Sequence, residues 1–129
     1  MKDTFPHLFL DSDGVICHFD KLAEDILGMP ARQYEDEYGS KAFWNTLKHY
    51  ENNGSGFFDS LELMPDAKHL LDNTKHIDRT VLTGAPVGEW AVDQKIKFYE
   101  KKLPQLEVII VSPSKDKIKH IKKPGDILV

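Results

Sequence analysis

At 129 residues the chain has the length of one domain with room for a small insert, and a hydrophobic content of 40% suffices for a sizeable core. A formal net charge of −4 excludes a broadly basic surface of the kind that coats nucleic acid, and the single cysteine, Cys17, excludes an intramolecular disulfide and fits a reducing compartment. The first apolar run is too short for a secretory signal and no stretch is long enough to span a membrane, so the expectation is a cytoplasmic protein with no membrane partner.

Leu8-Phe9-Leu10 reads as a buried strand that stops at Asp11-Ser12-Asp13-Gly14. Beyond it the texture becomes helical. Asp20 is placed to cap a helix over 21–27 with Gly28 as its stop, and Pro30 opens a second helix that reaches Tyr38 before Gly39. Ser40 is placed to cap a third over 41–50, and Asn52 to Gly56 is a loop. Residues 18–64 therefore read as a small helical insert between the first strand and an α/β core made of 1–17 and 65–129.

From Pro65 the spacing predicts an amphipathic helix over 66–75, with Ala67, Leu70 and Leu71 on one face. A second strand follows over 79–83, ended by Gly84-Ala85-Pro86. A long helix over 87–102 takes apolar contacts from Trp90, Val92, Ile96, Phe98 and Tyr99. The all-apolar Val108 to Val111 predicts a third strand buried on both faces, and 126–129 predicts a fourth. Strands alternating with helices imply a mostly parallel sheet. The lysines of 95–102 and 115–123 read as solvated helix and loop faces.

Chemistry-bearing groups collect at the predicted strand ends. Asp11 and Asp13, two residues apart on extended chain, project to one side and can meet one ligand. Their ordinary alternative is an Asx-type turn that only caps backbone N–H groups. Thr83 ends the second strand and Gly84 precedes a helix, an arrangement that suits phosphate, although Thr-Gly turns of this kind are common. Lys115 and Lys117 follow the third strand, and either could neutralise an anion. The six histidines show no paired metal spacing, and Cys17 reads as a buried, inert thiol.

The DSDGV stretch at Asp11 to Val15 resembles the first motif of the haloacid dehalogenase (HAD) superfamily of phosphatases. The order of Asp11/Asp13, Thr83 and a later lysine follows that family's order of motifs. DSDGVICHFD, Phe43-Trp44, GFFDSLELMPDAKHLL and KPGDILV are similar to the 5′(3′)-deoxyribonucleotidase group and its phage and bacterial relatives, over nearly the whole chain. The resemblance implies a HAD-like Rossmannoid parallel sheet with helices on both faces and a helical cap after the first strand. It also implies hydrolysis of a small phosphomonoester, with a (deoxy)nucleoside monophosphate as the candidate substrate.

Carried over residue by residue, Asp11 is the nucleophile and Asp13 the general acid and base. Thr83, Gly84 and Lys117, with Lys115 as the other choice, hold phosphate. Phe19, Trp44 and Phe58 contact a base, and Asp11 and Asp13 hold Mg²⁺. The family's acidic pair should follow the strand at 126–129, where this sequence stops. That leaves the C-terminal strand region truncated or incomplete by the family's standard. It also leaves open a non-catalytic protein that keeps the fold, and a homodimer paired through the exposed sheet edge. No nucleic acid polymer is expected as a partner.

Overall fold

The computed structural model describes residues 7–86, 88–111 and 127–128. Four parallel strands form the sheet: β1 (Leu8–Leu10), β2 (Arg79–Gly84), β3 (Val108–Val111) and β4 (Ile127–Leu128). Their order is β3-β2-β1-β4. Leu8 to Leu10 lie in register with Arg79 to Val81 on one side, and Leu8 and Phe9 with Ile127 and Leu128 on the other. The chain moves outward from β1 through β2 to β3, then returns past both to add β4 beyond β1. The strand order therefore reverses at β1, which is where open α/β sheets place their ligands. This arrangement is compatible with a Rossmann-like α/β fold.

Three helices fill the long excursion between β1 and β2. They are α1 (Phe19–Leu27), α2 (Ala31–Tyr38) and α3 (Ser40–Lys48), followed by a short 3₁₀ turn at Phe58–Ser60 and by α4 (Ala67–Thr74). The insert leaves and rejoins the core on two antiparallel chain segments. The Met64 N–H donates to the Ile16 carbonyl at 2.7 Å and the His18 N–H to the Glu62 carbonyl at 2.8 Å. Ala23, Phe43, Leu47, Phe57 and Phe58 of the insert belong to the same buried cluster as Leu10, Val81 and Phe98. The insert thus shares one hydrophobic core with the sheet. No helix among the described residues is long and apolar enough to cross a membrane.

Several boundaries differ from the sequence expectation. Helix α1 begins at Phe19, so Asp20 lies in the first turn rather than at the cap; there its charge favours the positive end of the helix dipole without a capping hydrogen bond. Ser40 is the first residue of α3, and its hydroxyl donates to Glu35 Oε2 at 2.8 Å instead of capping. Helix α5 (Glu89–Lys102) starts later than predicted, and β2 runs on through Gly84, which pairs with Val111.

Strand β3 is not buried on both faces. Among the described residues it is a sheet edge; Val108, Ile109 and Ile110 are half-buried, and Val108 and Ile110 line a cavity of about 290 Å³ shared with α5. Ile96 lines that cavity and is 42% exposed, so it is not a core residue of α5. An apolar run identifies a strand but not its position in the sheet.

Candidate active site

The acid turn at the end of β1 is built on one carbonyl. The Ser12 carbonyl accepts the N–H groups of Val15 (3.3 Å), Ile16 (2.9 Å) and Cys17 (2.9 Å). The Gly14 N–H donates to the Cys17 carbonyl at 2.8 Å, and Gly14 has φ +84, a left-handed conformation that favours glycine. The Ser12 N–H donates to Asp11 Oδ1 at 2.8 Å, a contact between neighbouring residues that ties this carboxylate to the turn. Asp11 therefore does take part in the local backbone. Asp13 does something else.

Lys95 of α5 reaches the turn from the neighbouring crossover helix. Its Nζ donates to Asp13 Oδ2 at 3.0 Å and to Thr83 Oγ1 at 2.9 Å, and it lies 4.6 Å from the centroid of the Phe58 ring. The lysine is 2% exposed, whereas the Asp13 side chain is 31% exposed. One buried ammonium thus joins the carboxyl ends of β1 and β2, and its carboxylate partner is the more exposed member of the pair. A buried cation is tolerated when a counter-charge and hydrogen-bond acceptors surround it.

The sequence reading missed Lys95 and assigned its neighbourhood to solvated faces. The missed signal is periodicity: the buried positions of α5 are Ala91, Lys95, Phe98 and Tyr99, a helical stripe with one lysine in it. A lysine in line with core residues marks a charge the fold has a use for.

Thr83 is brought to the site as expected, with its hydroxyl sealed beneath Lys95. Gly84 is half-buried at the end of β2. Lys115 and Lys117 lie outside the described residues. Phe19, Trp44 and Phe58 are brought together, with Phe19 and Trp44 rings 6.0 Å apart and Trp44 stacked on Phe58 at 6.5 Å. Phe58 is 1% exposed and so forms the floor of the cluster; only Phe19 and Trp44 are half-open. Trp90 of α5 joins them, 5.6 Å from Phe58 and 6.4 Å from Trp44. Sequence reasoning had placed Trp90 in the helix packing alone. Lys95, Phe58 and then Trp44 with Trp90 form a continuous path from the acid turn to the insert.

Beneath the turn, Ser12 Oγ and Tyr99 Oη share a hydrogen bond of 2.6 Å, and Cys17 Sγ lies 3.3 Å from Ser12 Oγ. Burial pushes the Cys17 thiol above its ordinary pKa, against the opposing hydrogen bond from Ser12. Burial likewise pushes the Tyr99 phenol well up, reinforced by its nearness to Cys17. Cys17 is thus a buried neutral thiol rather than a nucleophile.

Comparison with protein-family models gives no match, and comparison with curated proteins gives none. Two carboxylates stand at the strand-order reversal, one of them paired with a buried cation that reaches the next strand, and an aromatic cluster lies beside them.

Proposed function

We propose that the chain is a Mg²⁺-dependent phosphomonoester hydrolase of the HAD type. The observation that carries this reading is the Lys95 bridge between Asp13 and Thr83, at the point where the strand order reverses. In the mechanism Asp11 attacks phosphorus, forming a carboxyl–phosphate bond as the bond from phosphorus to the leaving oxygen breaks. Asp13, ionised beside Lys95, first takes a proton from solvent at its exposed edge and delivers it to that leaving oxygen; as the carboxylate it then takes one from the water that hydrolyses the acyl phosphate. The products are an alcohol and inorganic phosphate. Lys95 balances negative charge near Asp13 throughout, and Thr83 holds the lysine in place.

Oxygen donors at Asp11 and Asp13 suit a hard cation, and Mg²⁺ satisfies most of its octahedral shell with water and phosphate. Asp11 and Asp13 are the residues that would hold it, and among the described residues no third His, Cys, Asp or Glu joins them. When bound, Mg²⁺ supplies charge neutralisation for the phosphoryl group and the attacking carboxylate. The aromatic cluster favours a substrate with a planar ring, and a (deoxy)nucleoside monophosphate is the class that combines ring and phosphate.

The test is phosphate release from a panel of nucleoside and sugar monophosphates with Mg²⁺, wild type against Asp11→Asn. Whatever turnover the wild type shows should fall by at least about 10²-fold in Asp11→Asn, since the amide is nearly isosteric but a far weaker nucleophile. Equal rates in the two proteins overturn the assignment. Binding of a phosphomonoester by the wild type without turnover would instead support a non-catalytic protein of the same fold.

A further inference from the structure

We propose that Tyr99 is a positioning residue for the acid turn, acting through Ser12. Tyr99 follows Lys95 by one helical turn, so both project from the same face of α5. Lys95 takes Asp13 and Tyr99 takes Ser12, so one rigid helix holds two adjacent residues of the turn. The Ser12 carbonyl is also the acceptor for three N–H groups, and its own N–H is bound to the Asp11 carboxylate. Ser12 is therefore the pivot between the two carboxylates, and the Tyr99 hydroxyl is what ties that pivot to the core.

Three further observations make the tie specific. Ser12, Asp13, Cys17, Phe58, Lys95 and Tyr99 pack around a space too small for a water molecule, so the Ser12–Tyr99 bond is shut off from solvent in the folded chain. The Ser12 and Tyr99 hydroxyls are buried and in hydrogen-bond contact. Tyr99 touches neither carboxylate in any hydrogen bond, so its effect on chemistry is geometric. An in-line displacement is sensitive to such placement, because a shift of about 1 Å can cost about 10²-fold in rate.

For its effect on rate the inference rests on the phosphatase reading; for the placement of the turn it does not. Two readouts on the intact chain separate the two. The first is amide hydrogen exchange in Tyr99→Phe and, from the other end of the bond, in Ser12→Ala. The amides of Val15, Ile16 and Cys17 should exchange about tenfold faster or more, while those of Leu10 and Val81 in the sheet keep their wild-type rates. The double variant should be no faster than Ser12→Ala, which removes the bond to Tyr99 and the weaker contact with Cys17 Sγ together.

The second readout is kinetic. Against the best phosphomonoester, Tyr99→Phe should lower kcat by about tenfold or more and leave KM within about twofold. Unchanged exchange at residues 15–17, equal acceleration in the sheet, additive effects in the double variant, or a change in KM alone would each overturn the positioning role. If the wild-type chain releases no phosphate, the phosphatase reading fails and the exchange data alone decide whether Tyr99 holds the turn.

Discussion

Replacing either end of the Lys95–Asp13 pair has a different cost, because only one end is sealed from water. In Asp13→Asn the buried ammonium keeps the Thr83 hydroxyl but loses its counter-charge, and breaking a buried pair in this way costs about 3–5 kcal/mol. In Lys95→Met the chain fills much the same volume and Asp13 can turn its charge to solvent, so the loss should stay under about 1.5 kcal/mol. Urea unfolding of the two variants checks the order, and a Lys95→Met protein less stable than Asp13→Asn would show that the ammonium is a net stabiliser. Alkaline behaviour is also set at single residues. The unfolded thiol and phenol lose their protons near 9.0 and 10.0, whereas burial makes folded Cys17 and Tyr99 keep theirs to higher pH. Above about pH 9 the native state then binds more protons than the unfolded state, so stability must fall as pH rises. Tm should drop between about pH 9 and pH 11, and Cys17→Ala should flatten the first part of that drop. A wild-type Tm that is level across this range would mean that both groups ionise normally in the folded protein.

Helix α5 does for the insert what it does for the acid turn. Gln94 Oε1 accepts the Phe58 N–H at 2.9 Å, and the Lys102 ammonium donates to the Leu61 carbonyl at 2.6 Å, so the helix grips the 3₁₀ turn at both ends. Gly56 lies so close to Gln94 that an added Cβ would strike its amide. Gly56→Ala can be accommodated by moving that amide, at the cost of the bond to Phe58, which is worth about 1 kcal/mol. Gln94→Ala should lose a similar amount, and the double variant should be scarcely less stable than Gln94→Ala alone. Additive losses in a denaturant titration would place the strain elsewhere than at Gln94. None of these contacts was legible in the sequence, because they depend on which residues of α5 meet a loop some 36 positions away. Periodicity and turn residues do locate the strands, α2 and α4. They fail at β3 and Ile96, where burial is decided by the sheet order, and at Lys95, where residue type points to solvent but the apolar stripe points inward. Asp11, Asp13 and Thr83 were legible because strand ends can be read locally; the cation between two of them arrives from a helix face.

On the scale of the whole molecule, the aromatic cluster decides whether the insert is packing or a substrate contact. Phe19 and Trp44 come from the insert and Trp90 from α5, so the half-open rings belong to both parts of the chain while buried Phe58 supports them. The rings adjoin Lys95 through buried Phe58, which lies 4.6 Å from the ammonium and 5.6 Å from Trp90. If the half-open rings stack on a nucleobase, Trp44→Ala removes an interaction worth about 1–3 kcal/mol for a nucleotide and nothing for a small ester that has no ring. KM for a nucleoside monophosphate should then rise by about five- to 150-fold, with KM for a small aliphatic phosphate unchanged and kcat for both nearly constant. Trp90→Ala tests the same surface from the α5 side and should show the same selectivity. Stability must be followed in parallel, because truncating a half-buried indole also costs packing. A fall in activity that is equal for both substrates and tracks the loss of stability would make Trp44 and Trp90 part of the core that joins the insert to the sheet, and the nucleotide preference would then lose its support while the acid turn and its lysine kept theirs.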